Sequence, residues 1–203
     1  PCPVKIEWSG AVDFIYDGTD HRSNITATAR TENGAAVNGN IFKISFSYKA
    51  HGATTFTPVT EVKNAGTYTA TAEISNNNYT ISSNEATTFT IGQKALTVTA
   101  EDKTVTYGDS ASYTATYKGL LDCDKGKLGT PNFTCNYNKV GTYSITVDGL
   151  ENSNYAITYV NGTLTVNKRT ITLDWGTANS FVYDGNAHTL NPAAKNIVIG
   201  DDL

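Results

Sequence analysis

The sequence predicts an all-β chain built as a tandem array of small sandwich-like repeats, and three observations carry that prediction. The phrase Asn64-Ala65-Gly66-Thr67-Tyr68 returns as Lys139-Val140-Gly141-Thr142-Tyr143, with the two glycines 75 residues apart. Neighbouring phrases keep that step: "NNNYTI" and "NSNYAI" set Tyr79 and Tyr155 76 apart, and Ile91 and Val166 lie 75 apart. A period of this length is the size of one small domain. Between the markers, apolar and polar residues alternate with period two, which is the mark of half-buried strands.

Each element follows from that alternation. In "GTYTATAEI" the residues Tyr68, Ala70, Ala72 and Ile74 share one face, while threonines and Glu73 take the other. "GTYSITVDG" turns Tyr143, Ile145 and Val147 inward, "ALTVTAE" does so with Leu96, Val98 and Ala100, and "TITLDW" with Ile171, Leu173 and Trp175. Threonine, a β-branched residue, suits the outer pleated surface. Asn161-Gly162, between "YAITYV" and "TLTV", predicts a type I′ hairpin in which both central residues take positive φ. No stretch carries a helical apolar stripe, and "GLLDCDKGKL" (119–128) offers a single turn at most.

A second phrase marks where units begin: "FIYDGTDH" at 14–21, "VTYGDSAS" at 105–112 and "FVYDGNAH" at 181–188. The boundaries fall at 1–92, 93–168 and 169–203, the last a partial third repeat. The first unit has 50 residues between its YDG tyrosine and its Gly-Thr-Tyr glycine against 34 in the second, and the excess predicts an added hairpin in "FKISFSYKAHGATTFTPV". Only Gly92-Gln93-Lys94 and Asn167-Lys168-Arg169 separate closing from opening strands, so the units are expected to follow one another in an elongated array, each adding about 30 to 40 Å.

The Gly-Thr-Tyr phrase has a structural reading. In immunoglobulin-like sandwiches a tyrosine near the start of the sixth strand turns its hydroxyl back onto upstream backbone. Gly66 with Tyr68, and Gly141 with Tyr143, have the form of that corner; ordinary strand aromatics after a turn glycine are the alternative. The cysteine that follows the corner in antibody domains is replaced by Ala70 and Ile145. The fold class is therefore all-β, tandem Ig-like sandwiches, with a β-grasp-like middle unit as the alternative.

Composition narrows the function. A net charge of −4 and a pI near 5.3 give no electrostatic footprint for nucleic acid. No apolar run approaches the roughly 20 residues of a membrane-spanning helix. The chain starts at Pro1 and contains no methionine, which reads as an internal piece of something longer.

Chemistry-bearing patterns are few. His21 and His188 each lie five positions after a YDG tyrosine, but Ser112 stands at the matching place in the middle unit, and zinc needs three or four clustered ligands. The expected role is a hydrogen bond to the Asp17-Gly18 or Asp184-Gly185 turn, with no metal and no cofactor. Asp122-Cys123-Asp124-Lys125-Gly126 has the opening of a calcium loop without its later acidic ligand. No GxSxG, phosphate-loop or HExxH motif occurs, so no catalytic residue is assigned and the chain reads as a non-enzyme. Cys123 and Cys135, twelve residues apart across a Gly-Pro-containing turn, suggest a disulfide worth about 2 to 3 kcal/mol, or else two unlinked thiols. Cys2 has no partner in this reading.

At the YDG phrases the sequence resembles the YDG and MBG repeats of large bacterial surface proteins and adhesins. Residues 95–167 resemble a YGX-type MBG domain over their full length, residues 4–91 the longer Ig-like YDG kind, and 170–203 its opening. The resemblance implies an extracellular, cell-surface or secreted repeat and supplies no catalytic residues. Two functions remain: a stalk or adhesive rod displaying or helping to bind a host glycan or protein, expected to be monomeric as this piece, or a carbohydrate-binding or accessory module of a secreted enzyme. Tyr48, His51, Phe56, Tyr137 and Tyr159 are the candidate ligand contacts.

Overall fold

The computed structural model describes residues 1–177 and 180–201. Its first strands are β1 (Cys2–Ser9), β2 (Phe14–Ile15), β3 (Thr26–Thr31), β4 (Ala36–Val37), β5 (Phe42–Ala50) and β6 (Thr57–Val59). Next come β7 (Gly66–Ile74), β8 (Tyr79–Ser83), β9 (Ala86–Gly92), β10 (Lys94–Ala100), β11 (Lys103–Thr106) and β12 (Ala115–Lys118). The last are β13 (Asn132–Thr134), β14 (Gly141–Asp148), β15 (Tyr155–Val160), β16 (Gly162–Asn167), β17 (Thr172–Asp174) and β18 (Ala193–Lys195). Among the described residues the only helical turns are 3-10 turns at Arg22–Asn24 and Asp122–Asp124. The chain is all-β, and the segment that a β-grasp fold would need as a helix is that second single turn.

Two compact units form. The first gathers Pro1–Thr97, Tyr117–Thr130 and Gly149–Thr158; the second gathers Val98–Thr116, Pro131–Asp148 and Tyr159–Leu203. In the first, sheet β4-β3-β1-β8 faces sheet β2-β9-β7-β5-β6. Val4, Ile6 and Ala29 from one sheet close on Ala72 of the other and on Ile41, with Trp8, Phe42 and Ile81 around them. The alternation in β7 works as expected, since Tyr68, Ala70 and Ala72 are buried and the threonines are not. The added hairpin is β5 with β6, joined in antiparallel register from Phe46↔Val59 to Tyr48↔Thr57.

In the second unit, sheet β11-β16-β14-β13 carries the buried Ile145, Val147, Leu164 and Val166. A three-stranded sheet has the order β12-β10-β15, and β17 pairs with β18. Two expectations from sequence fail at this level. Asn161-Gly162 is no type I′ turn: neither residue has positive φ, because β15 and β16 belong to different sheets. Gly162 is needed for another reason, since a Cβ there would stand 2.5 Å from the Ala100 carbonyl oxygen. Ile171, Leu173 and Trp175, read as inward, are 41, 51 and 55% exposed, because among the described residues only β18 pairs with β17.

The short strands leading into Tyr16 and Tyr107 run parallel to the strands that close the first two repeats: β2 beside β9 and β11 beside β16. Tyr16 N–H then donates to the Gly92 carbonyl at 2.9 Å and Tyr107 N–H to the Asn167 carbonyl at 2.8 Å. Each tyrosine is thus fixed where its repeat's last strand leaves for the next.

Candidate functional site

The tyrosine corners are present in both copies. Tyr68 Oη donates to the Asn64 carbonyl at 2.9 Å and accepts from Lys63 N–H at 3.1 Å; Tyr143 Oη donates to the Lys139 carbonyl at 3.0 Å. Gly66 and Gly141 both sit at φ +155°. A Cβ on Gly66 would meet the Lys49 carbonyl oxygen and the Tyr48 ring at 2.5 Å, whereas at Gly141 the nearest atom is 3.6 Å away. The glycine therefore recurs for backbone conformation in both copies and for space in the first.

Beyond the corners, two of the three YDG-type tyrosines, Tyr16 and Tyr107, grip an aspartate from far along the chain. In the first unit Tyr16 Oη donates to Asp124 Oδ2 at 2.9 Å across 108 residues, and Tyr155 Oη donates to the same oxygen at 2.8 Å. Tyr155 Oη also accepts from Leu121 N–H at 3.2 Å, and the two rings meet edge to face at 5.5 Å. Asp124 is a buried carboxylate, with Lys127 Nζ 3.8 Å away. Ionised acceptors make hydrogen bonds roughly twice as strong as neutral ones. Burial, then the bond to Asp124, pushes the Tyr16 hydroxyl far above its usual range. Tyr155 is pushed to about 12, chiefly by burial and with the Asp124 bond adding to it.

The same unit has a second grip. Asn154 Oδ1 accepts from Ala65 N–H at 2.8 Å, and its Nδ2 donates to Asn64 Oδ1 at 3.2 Å, tying the "NSNY" turn onto the corner. Gln93 Nε2 donates to the carbonyls of Ser153 and Tyr155, and Lys94 N–H to that of Asn154. Asn152 Oδ1 shapes this turn by accepting Asn154 N–H at 2.9 Å, as Asn76 does for Asn78 at 3.0 Å.

The second unit repeats the clasp with other residues. Tyr107 Oη donates to Asp201 Oδ1 at 3.0 Å across 94 residues, and that bond, more than burial, raises its pKa. Arg169 braces it, donating from Nε to the Tyr107 carbonyl at 2.7 Å, from Nη1 to Asn196 Oδ1 at 3.0 Å, and pairing with Asp109. Both aspartates end the same turn: Asp124 N–H bonds to the Leu121 carbonyl at 3.0 Å and Asp201 N–H to that of Val198 at 3.2 Å. In both cases the aliphatic residue that starts the turn faces a glycine. A Cβ on Gly18 would stand 3.4 Å from Leu121 Cδ1 and 2.7 Å from Cys123 Sγ; one on Gly108 would stand 2.4 Å from Val198 Cγ2.

The residues singled out from sequence have separate fates. Tyr48 is tied down, its hydroxyl donating to the Ala65 carbonyl at 2.9 Å and its ring 4.9 Å from that of Tyr68. Tyr137 Oη likewise donates to the Asp109 carbonyl and accepts from Ala111 N–H. Phe56 is exposed under Lys49 Nζ, 5.1 Å from its ring centre, and exposed His51 helps line an open groove of about 390 Å³ with Lys49 and Gln93. Tyr159 is half-buried on β15. Tyr48, His51 and Phe56 belong to the first unit, Tyr137 and Tyr159 to the second. Cys123 and Cys135 are free thiols; Cys123 lies against Gly18, while the Tyr113 hydroxyl is pushed up to about 12, first by burial and then by Cys135. Cys123 belongs to the acidic turn of the first unit and Cys135 to the second unit. His21 Nε2 lies 3.1 Å from Asp17 Oδ1, as the turn reading expects. Among the described residues no group of three His, Cys, Asp or Glu side chains is placed to hold a metal ion. No helix there is long and apolar enough to cross a membrane.

Sequence reasoning missed the clasp itself. The signal was present: "LDCD" at 121–124 and "VIGD" at 198–201 each place an aspartate fourth, 77 residues apart, downstream of a YDG-type tyrosine.

Part of this geometry lies in a segment similar to a known family. Residues 96–165 match the MBG domain of the YGX type. That MBG segment includes Tyr107, Asp124, the corner at Gly141 and Tyr143, and Tyr155. Among solved structures, the N-terminal four Ig domains of Dscam1 isoform 4.44 are 13% identical, covering 84% of this chain and 48% of that one, with a TM-score of 0.36. The N-terminal eight Ig domains of DSCAM isoform 1.30.30 are 12% identical, covering 81% of this chain and 27% of that one, with a TM-score of 0.33. Three N-terminal domains of the bacteriophage RB49 Highly Immunogenic Outer Capsid protein are 12% identical, covering 82% and 71%, with a TM-score of 0.23. The chain spans about half the length of the first of these, and at such scores the likenesses carry no argument. No curated protein matches the chain.

Proposed function

We propose that this chain is a non-enzymatic stalk segment of a bacterial cell-surface or secreted protein, a rod that displays binding functions or contributes to adhesion to host or extracellular ligands. The observation that carries the reading is the clasp built twice, Tyr16 with Asp124 and Tyr107 with Asp201. Each ties a repeat's opening phrase to the acidic turn of the next repeat in sequence. The first of these bonds is buried and the second exposed, each closes within one compact unit, and with a close glycine contact beside it each stiffens the segment where one repeat meets the next, which is what a stalk requires. The MBG segment supports the extracellular setting. A carbohydrate-binding or accessory module has less support, since Tyr48 and Tyr137 direct their hydroxyls to backbone groups rather than to a ligand.

Small-angle scattering on the chain and on its Asp124→Ala variant tests the stalk. The expected result is an extended particle for the parent and a broader distribution of dimensions for the variant. A compact profile for the parent overturns the reading.

A further inference from the structure

The YDG phrase at 14–21 returns at 181–188 with a constant offset of 167 residues, and its internal contacts return with it. Phe14 stacks on His21 with ring centres 4.3 Å apart, and Phe181 on His188 at 4.5 Å. His188 Nε2 lies 2.9 Å from Asp184 Oδ1, matching His21 and Asp17. Asp17 accepts from Thr19 N–H and Asp184 from Asn186 N–H, so both phrases close the same side-chain-to-backbone turn.

The difference lies on the outer side. Tyr16 is 2% exposed and Tyr183 is 94% exposed, with Val182 beside it at 88%. Gly18 and Gly108 each have an acidic turn pressed against them, but Gly185, in the same left-handed conformation at φ +81°, has among the described residues no atom beyond its chain neighbours within 4 Å of its Cβ position.

We propose that Tyr183-Asp184-Gly185 is a preformed half of the same clasp, and that its partner is an acidic turn of the form Leu/Val-x-x-Asp in a further repeat of this type. The two engaged copies in the same chain indicate what covers such a surface. In each, a turn closed by the aspartate N–H on the residue three before it brings a carboxylate to the tyrosine hydroxyl and an aliphatic side chain to the glycine. The Tyr183 hydroxyl offers a donor for a carboxylate, and Gly185 with Val182 offers an apolar seat. A second folded copy of this chain fits less well, because its Asp124 and Asp201 are already held by Tyr16 and Tyr107. Local order before binding lowers the cost of engagement.

The inference rests on the stalk reading, whose joint it supplies with a partner, and it can fail on its own. The test is amide chemical-shift mapping on the isotope-labelled full chain, titrated under reducing conditions with a synthetic peptide of residues 117–130, "YKGLLDCDKGKLGT". Shifts are expected at 181–188, with the amides around Tyr16 and Tyr107 unmoved as internal reference. The peptide carrying Asp124→Asn, or the chain carrying Tyr183→Phe, should bind about tenfold more weakly or not measurably. No shift at 181–188, or equal shifts with the Asn peptide, overturns the proposal while leaving the internal clasps and the stalk reading intact. Concentration-dependent shifts there without peptide, lost in Tyr183→Phe, would assign the face to a second copy and also overturn it.

Discussion

Replacing Asp124 by alanine should remove more stability from the first compact unit than any other single change at its surface turns. The carboxylate accepts two tyrosine hydroxyls, at 2.9 Å from Tyr16 and 2.8 Å from Tyr155, and both tyrosines are buried. A hydrogen bond to a charged group contributes about 1.5 to 3 kcal/mol, and a buried donor left unpaired costs about as much as it gained. Tyr155 keeps its contact with Leu121 N–H, so the two losses do not fully add, and a total of about 3 to 5 kcal/mol is expected. With a urea slope of about 2 kcal/mol per molar, the midpoint should fall by about 1.5 to 2.5 M. Trp8 lies in that unit with its indole N–H on the Asn84 carbonyl, so its fluorescence in a Trp175→Phe background reports the transition. The decisive form is a double-mutant cycle with Tyr16→Phe, which should give a coupling of about 1 to 3 kcal/mol. If the two changes add to within about 0.5 kcal/mol, the tyrosine and the aspartate do not act together and the clasp argument fails.

Three further outcomes are expected. Tyr68→Phe should cost about 1 to 3 kcal/mol and Tyr143→Phe about 0.5 to 1.5, because Tyr68 is fully buried and makes two backbone bonds where Tyr143 makes one that solvent reaches; equal urea midpoints for the two would contradict this. Gly66→Ala should destabilise more than Gly141→Ala, since both force a side chain into φ +155° but only the first drives a Cβ onto backbone at 2.5 Å; the reverse order in thermal melts would remove the space argument. Alkali should weaken the first unit: Tyr155 titrates near 12 when folded against about 10 when unfolded, so above pH 10 the unfolded chain gives up a proton that the folded one keeps. Stability is then complete below pH 10 and falls as pH climbs toward 12, by less in Tyr155→Phe, and urea midpoints that stay level through that window would refute it.

The local fold was legible because it depends on period and conformation, both of which a sequence displays. Alternation placed Tyr68, Ala70, Ala72, Leu96, Val98, Ile145 and Val147 inside, and the recurring glycines marked the corners. What was illegible depends on which sheet a strand joins. Asn161-Gly162 has the composition of a hairpin turn, yet its flanking strands part to different sheets, and the glycine answers to the carbonyl of Ala100, far back in the chain. Trp175 alternates correctly but has little to pack on. Asp124 has the look of half a calcium loop because acidic residues in a turn suggest a cation, when its partners are two neutral hydroxyls, one of them 108 residues away. Composition around Asp124 gives no hint of Tyr16, and only the pairing of the two acidic turns with the two upstream tyrosines would have revealed it.

The three copies of the opening phrase separate what the motif does alone from what it does in company. At 181–188 the ring stack, the histidine–aspartate contact and the turn at Asp184 are all formed, although Tyr183 is 94% exposed and nothing presses on Gly185. Those contacts are therefore local, and they do not explain why a tyrosine stands before the aspartate or why a glycine comes after it. At 14–21 the tyrosine is buried on a carboxylate and the glycine lies under a thiol and a leucine, so both residue types are accounted for by the incoming turn. The middle copy is the sharpest case. It has Ser112 in place of the histidine and reverses the next two residues to Tyr107-Gly108-Asp109, yet Tyr107 holds Asp201 and Gly108, one place earlier than Gly18, faces Val198. The tyrosine–aspartate contact and the glycine facing an aliphatic side chain therefore form without the histidine. Where present, the histidine contacts the aspartate of its own turn, whereas Tyr16, Gly18, Tyr107 and Gly108 contact an acidic turn.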